Sequence, residues 1–321
     1  MIQTIDFAPL DGITKIVFRQ VWSQFFGGVD RYFIPFFSPT PHHTMTSRDL
    51  REVDFIHNAA LPSVPQVMTK NADDFLWACE VLKDMGYTEV NLNLGCPSGT
   101  VTAKGKGAGF LAKPEELERF FDEVFAAVKL PVSVKTRLGV KEPEEFERLL
   151  DIYNRYPIAC LTIHPRVQKQ FYKGPVHRDW FAWAAERSRN PLCYNGDLVT
   201  VEDCTVFAVD FPAIDAVMIG RGAIADPALL RKLRGGVPAT RQELQTFTRT
   251  LYQSYQDFYG QVGPAAQRMK EVWFFLIHLF EGGERHDKKM RRLRTPGEYE
   301  AVEASIFQEL PLRDHAAGAF R

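Results

Sequence analysis

Apolar residues along this chain fall into short, near-continuous runs separated by amphipathic stretches, and the two alternate up to about residue 235. The runs at 5–9, 32–36, 64–68, 89–94, 132–136, 160–163, 192–194 and 216–219 are mostly near-continuous apolar stretches, with Asn91, Asn93, Ser133 and Lys135 interrupting two of them. A strand with one wet face would alternate apolar and polar residues. Near-continuous runs predict parallel strands covered by helices on the outside. Between them lie helical patterns. Residues 72–85 put Phe75, Leu76, Cys79, Leu82 and Met85 on one side, with Gly86 as a C-cap. Pro114 opens another, through Leu117, Phe120, Phe121, Val124 and Val128, since a proline at the first helical position forfeits no hydrogen bond. About eight such β/α units in a row predict an α/β fold, a (β/α)8 TIM barrel. The alternative, a doubly wound open sheet, would carry a glycine-rich phosphate loop after its first strand, and Ala8-Pro9-Leu10-Asp11-Gly12 is not one.

The pattern changes near Pro238. Thr240-Arg241-Gln242-Glu243 reads as a capping box before a helix carrying Leu244, Phe247, Leu251, Tyr255 and Phe258. Gly260 and Gly263-Pro264 break it, and helices are predicted over 268–279 and 298–310. The expected organisation is a barrel over 1–237 and a small C-terminal helical domain over 238–321.

Composition narrows the class. Apolar residues make up 45% and charged residues 25%, as in ordinary soluble globular proteins. A formal net charge of -1 means that nucleic-acid binding would need a local basic patch. No apolar run approaches the length of a membrane span, and Asp6 arrives before any signal-peptide core can form. Five cysteines without a C-x-x-C pair argue against a disulfide framework or a zinc site, so a reducing cytoplasm is expected.

One cysteine stands apart. Cys79, Cys160, Cys193 and Cys204 sit inside helix or strand patterns, as core residues do. Cys96 follows a strand, behind Gly95 and ahead of Pro97, in a turn that a core cysteine would not need. A thiol there can meet a ligand above the strand end and can give up a proton near neutral pH. Other strands end in polar groups too: Gln66 on the third, Asn93 on the fourth, Lys135 and Arg137 on the fifth, His164 and Arg166 on the sixth. Asn195, Gly196 and Asp197 follow the seventh, and Gly220, Arg221 and Gly222 the eighth. The C-terminal ends of barrel strands are where such groups do chemistry. Lys135 lies in an apolar strand, so it needs an anionic partner or must shed its proton.

In this order the motifs resemble those of the tRNA-dihydrouridine synthases. Ala8-Pro9-Leu10 is similar to the family's opening Ala-Pro-Met. Asn91–Pro97, with Val101, Gly107-Ala108-Gly109 and Leu111, resembles its catalytic loop. Lys135-Thr136-Arg137-Leu138-Gly139 resembles its Lys-x-Arg-Leu-Gly strand. His164-x-Arg166, Gln170-x-Tyr172-x-Gly174, Asp179-Trp180, Asn195-Gly196-Asp197 and Met218–Gly222 complete the series, over roughly residues 5–230. Leu10 stands for the usual methionine, and Pro165 for a glycine between His164 and Arg166.

The resemblance implies an FMN-bound barrel that reduces a uridine of tRNA to 5,6-dihydrouridine, with NADPH as electron donor. Hydride would pass from the reduced flavin to C6, and a proton from Cys96, the general acid, to C5. Pro9, Leu10, Gln66, Lys135, His164, Asn195, Asp197, Gly220 and Arg221 would hold FMN. Asn93, Arg166 and Tyr172 would hold the uracil. Lys104 and Lys106 would meet tRNA, as would Arg285, Lys288, Lys289, Arg291 and Arg292 from a basic cluster between two tail helices. No metal and no protein partner are implied. Two other readings stand beside this one: a flavin-dependent reductase or dehydrogenase of a free pyrimidine, and a tRNA-binding chaperone with dispensable catalysis.

Overall fold

The computed structural model describes residues 2–317. Eight parallel strands close a barrel in sequence order. They are β1 (Thr4–Phe7), β2 (Arg31–Phe37), β3 (Ser63–Val67), β4 (Val90–Leu94), β5 (Val132–Arg137), β6 (Leu161–His164), β7 (Leu192–Tyr194) and β8 (Ala216–Ile219). Each predicted run is a strand, with ends moved by no more than two residues. Burial on both faces is the cause: every residue of β8 is buried, and so is every residue of β4, Asn91 and Asn93 included. The register of β2 against β3 shifts between Ile34 and Phe37, beside Pro35, which has no N–H to give the ladder.

The chain forms two compact units. The first contains residues up to Asp6, Arg31–Gly196 and Ala208–Met218. Here the helices Ala72–Asp84 and Pro114–Ala127 meet through the rings of Phe75 and Phe120, 5.8 Å apart and edge-on. Gly86 closes the former at φ 106°, a conformation that disfavours any side chain.

The second unit contains Phe7–Asp30, Asp197–Phe207 and the chain from Ile219 onward. Phe247, on the helix Arg241–Tyr259, inserts among Phe18, Phe25 and Phe26 at 6.3, 5.8 and 5.1 Å. Burying one such ring is worth roughly 1.5–3 kcal/mol. Trp273, Phe280 and Phe307 form a second aromatic knot.

Three expectations for the tail change. Thr240 does cap its helix, accepting the Glu243 N–H at 3.1 Å. Glu243, however, holds the Arg231 guanidinium with both oxygens, at 2.7 and 2.9 Å. The reciprocal capping box forms instead at Thr295 and Glu298. The second tail helix begins at Val262, because Pro264 fits within a first helical turn. The basic run is itself a helix, Glu284–Arg292, with His286 and Met290 on its buried side and Asp287 paired to Arg291 one turn on. Among the described residues, no helix is long and apolar enough to cross a membrane.

Candidate active site

Cys96 is the half-buried cysteine; the other four are buried, and none of the five is in a disulfide. Its position is held from two sides. From below, the Asn93 side chain accepts the N–H groups of Gly95 at 3.1 Å and Cys96 at 2.9 Å, a local turn that asparagine favours. From behind, the Cys96 carbonyl accepts the Ala108 N–H at 3.0 Å. Gly107 makes that approach feasible: its φ is 55°, and a Cβ there would sit 2.9 Å from the Cys96 oxygen. Gly109 is equally constrained, since its Cβ would fall 2.7 Å from the Thr102 backbone.

Asn93 pairs in register with Lys135 across β4 and β5. The Asn93 amide donates to Gln66 Oε1 at 2.6 Å, so three predicted site residues, Gln66, Asn93 and Cys96, form one hydrogen-bonded group. Burial pushes the Lys135 amine down to about 7, helped by the neighbouring Arg137 charge. Such an amine titrates near neutrality and welcomes an anion.

Arg137, two residues on and therefore on the same side of β5, is buried. It donates to the carbonyls of Gly95 at 2.8 Å and Val167 at 3.1 Å, and its guanidinium lies 5.3 Å from the Tyr172 ring centre. Burial pushes its pKa down to about 10, with Tyr172 opposing and the Arg166 charge adding to the shift. From sequence Arg137 is a strand-end residue to which the family resemblance attaches no role. The signal was its spacing from Lys135 on the same strand face.

Arg166 is buried as well. It donates twice to the Gly174 carbonyl, at 3.2 and 2.6 Å, and lies 3.1 Å from His164 Nε2. Guanidinium N–H groups only donate, so His164 accepts through Nε2 and carries its proton on Nδ1. Tyr172 stacks on His164 at 6.1 Å and is half exposed. Arg166 thereby ties down the loop that presents Tyr172, while Arg137 lies against that ring. Asn195 donates to the Met218 carbonyl at 2.7 Å, bridging β7 and β8.

The second unit gathers its own predicted residues. Arg221 pairs with Asp197 at 2.5 Å, and Asp197 has φ 45°. A Cβ on Gly220 would meet Ala8 and Leu10 at 3.1 Å each. Pro9 is half-buried between them in sequence.

Two basic groups complete the picture. In the first unit, Lys106 is held below its usual pKa by burial and by Lys104 and Lys70, with Asp74 opposing. Lys70 lies 34 positions from Lys104, so sequence spacing does not reveal that the two are neighbours. In the second, Arg285, Lys288, Lys289 and Arg292 are exposed on their helix. Arg291 is paired with Asp287 and lies 4.8 Å from the Phe274 ring centre.

Comparisons of sequence point to one family. The model of the dihydrouridine synthase (Dus) family matches residues 6–310. A probable tRNA-dihydrouridine synthase 1 of Synechocystis sp. is 29% identical over 280 residues, covering 83% of this chain and 76% of its own. A tRNA-dihydrouridine(16) synthase of Ralstonia nicotianae is 32% identical over 238 residues, covering 71% of this chain and 72% of its own. Among solved structures, the old yellow enzyme from Trypanosoma cruzi superposes with a TM-score of 0.52 at 12% identity, over 80% of this chain and 94% of that one. At that identity the likeness concerns the barrel fold alone.

Proposed function

Because this chain belongs to the dihydrouridine synthase family, matched over residues 6–310, we propose that it is a flavin-dependent enzyme reducing a uridine of tRNA to 5,6-dihydrouridine. The observation that carries the reading is the Cys96 thiol, half-buried on a turn clamped by Asn93 and Ala108.

The residues fit a flavin. A lysine pushed down to about 7 by burial regains its proton beside an anionic ring. Gln66 spends one N–H on Asn91 and one lone pair on Asn93, which leaves one of each for a ring edge. FMN is assigned to Gln66, Lys135, His164 and Asn195, with Pro9, Leu10, Asp197, Gly220 and Arg221 carried over by motif. When bound and reduced by NADPH, the flavin supplies the hydride for C6 of the uracil.

The chain's own groups do the rest. Cys96 gives its thiol proton to C5; the S–H bond breaks, the C–H bond forms, and the thiolate recovers a proton from solvent. Arg137 has N–H donors beyond those bound to Gly95 and Val167, and these suit the uracil oxygen on which charge develops. Asn93, Arg166 and Tyr172 keep the thiol turn and the base in place. The target base must leave its stack, and phosphate contacts from Lys104, Lys106, Arg285, Lys288, Lys289, Arg291 and Arg292 offset that cost.

The test is site-resolved mapping of dihydrouridine in unmodified tRNA incubated with flavin-loaded protein and NADPH, beside Cys96→Ala. Dihydrouridine at one position, sharply slowed in the variant, is expected. None from a protein whose flavin NADPH does reduce sinks the tRNA assignment, and parallel incubations with free uracil and uridine test the free-pyrimidine reading.

A further inference from the structure

The Asn93 side chain that holds the thiol turn is the end of a longer chain. Gln66 Nε2 donates to Asn91 Oδ1 at 2.7 Å, and Asn91 Nδ2 donates to Ser133 Oγ at 2.9 Å. The Ser133 hydroxyl donates to Glu89 Oε1 at 2.5 Å. The other Glu89 oxygen accepts from Arg31 at 3.1 Å, and Arg31 is fixed by both oxygens of Asp6 at 2.9 and 2.8 Å. Gln66, Asn91, Asn93 and Ser133 are all buried, so bulk water does not substitute for a missing link.

This chain has a direction, and a carboxylate imposes it. Ionised Glu89 can only accept. Ser133 must therefore donate to it and can accept only from the amide NH2 of Asn91. Asn91 then offers its oxygen to Gln66, and Gln66 offers its oxygen to Asn93. Asn93 is left with its oxygen toward the N–H groups of Gly95 and Cys96, as that turn requires. Turned the other way, Asn93 would present an NH2 to two N–H donors.

We propose that Glu89 and Ser133 are positioning residues for Cys96, acting through this polarised amide chain; the proposal rests on the reading of Cys96 as proton donor. The Glu89→Gln substitution keeps the shape and removes the direction. Arg31 claims the amide oxygen, which leaves the NH2 facing Ser133. The serine can then accept from that NH2 as well as from Asn91, and its proton has no carboxylate to turn to, so the direction of the amide chain is no longer imposed from this end. The orientation of the Asn93 acceptor is left to the Gly95 and Cys96 N–H groups alone, and the turn loosens.

The test reads the thiol without substrate. The rate of Cys96 alkylation by iodoacetamide is followed by mass spectrometry in flavin-free wild type, Glu89→Gln, Ser133→Ala and Ser133→Thr, with thermal melts to show that each is folded. Release of the turn should speed alkylation by about threefold or more in Glu89→Gln and Ser133→Ala, the worth of one net hydrogen bond. Ser133→Thr keeps the hydroxyl and should react at the wild-type rate, which a merely structural role for the site would not require. A wild-type rate in either of the first two, or a threonine variant that behaves like alanine, overturns the proposal. If Glu89→Gln does not fold, the two Ser133 variants decide it by the same criteria. Wild-type protein that makes no dihydrouridine would sink the assigned reaction and leave this test standing.

Discussion

The Cys96 carbonyl accepts the Ala108 N–H at 3.0 Å, and this one bond joins the thiol turn to the short helix Gly107–Ala112. It depends on Gly107, whose φ of 55° and close approach leave no room for a side chain. Gly107→Ala should displace the thiol at a cost of about 1–3 kcal/mol in backbone strain. The expected outcome is slowed dihydrouridine formation with flavin retained, checked by single-turnover assay and visible absorbance.

Cys96→Ala should lower the rate by about a hundredfold or more, the usual worth of a general acid. Flavin content and tRNA affinity should not change. Equal rates in the variant would move the proton donor elsewhere.

Lys135 makes stability depend on pH in the flavin-free protein. Its folded pKa, about 7, lies below the ordinary lysine value of 10.5. The cost of burial is thus fully present below pH 7 and fades as pH rises toward 10.5, because the unfolded chain binds more protons in that window. Lys135→Met should raise stability by roughly 2–4 kcal/mol at pH 6.5, at about 1.4 kcal/mol per pKa unit less the relief from water at the partly exposed amine. The gap in denaturation midpoints should narrow steadily from pH 7 and be nearly closed above pH 10.5. A gap that is constant with pH would remove the titration argument.

Arg137→Lys keeps a charge and loses the fork that reaches Gly95 and Val167. Its kcat/KM for tRNA should fall about tenfold to a hundredfold, as for loss of a hydrogen bond to a charged group. Arg166→Lys should instead loosen the loop that carries Tyr172, which limited proteolysis would detect.

Lys288→Ala and Lys289→Ala remove exposed cations, whereas Arg291 is already paired with Asp287. Each lysine variant should weaken tRNA binding and lower the slope of log affinity against log salt by about one. A smaller effect is expected for Arg291→Ala. Unchanged slopes for both lysines would remove this helix from the RNA surface.

Strands such as Ala216–Ile219 were legible because burial on both faces writes itself as unbroken hydropathy; Val90–Leu94 is as fully buried but alternates with Asn91 and Asn93, whose amides are hydrogen-bonded inside the barrel. Residue types at strand ends were legible too, for Cys96 and Lys135 alike. Partner choice was not. Whether Glu243 caps its own helix or holds Arg231 depends on a residue twelve positions away, and local spacing is blind to that. The helix Glu284–Arg292 was hidden because its charges drown the two-residue stripe of His286 and Met290. By residue type and place Arg137 and Arg166 are alike; the family motif gives a role to Arg166 alone, and what each guanidinium touches, the Tyr172 ring or the Gly174 carbonyl, is legible only in the structure.

Glu243 reaching back to Arg231 has a consequence for exchanging parts between relatives. The two residues stand on either side of residue 237, where hydropathy suggests a seam. A chimera joined there inherits one half of a bidentate ion pair and meets whatever the donor carries at the other position. Tail swaps meant to change which tRNA site is read therefore need a junction before Arg231, so that the pair travels as a unit.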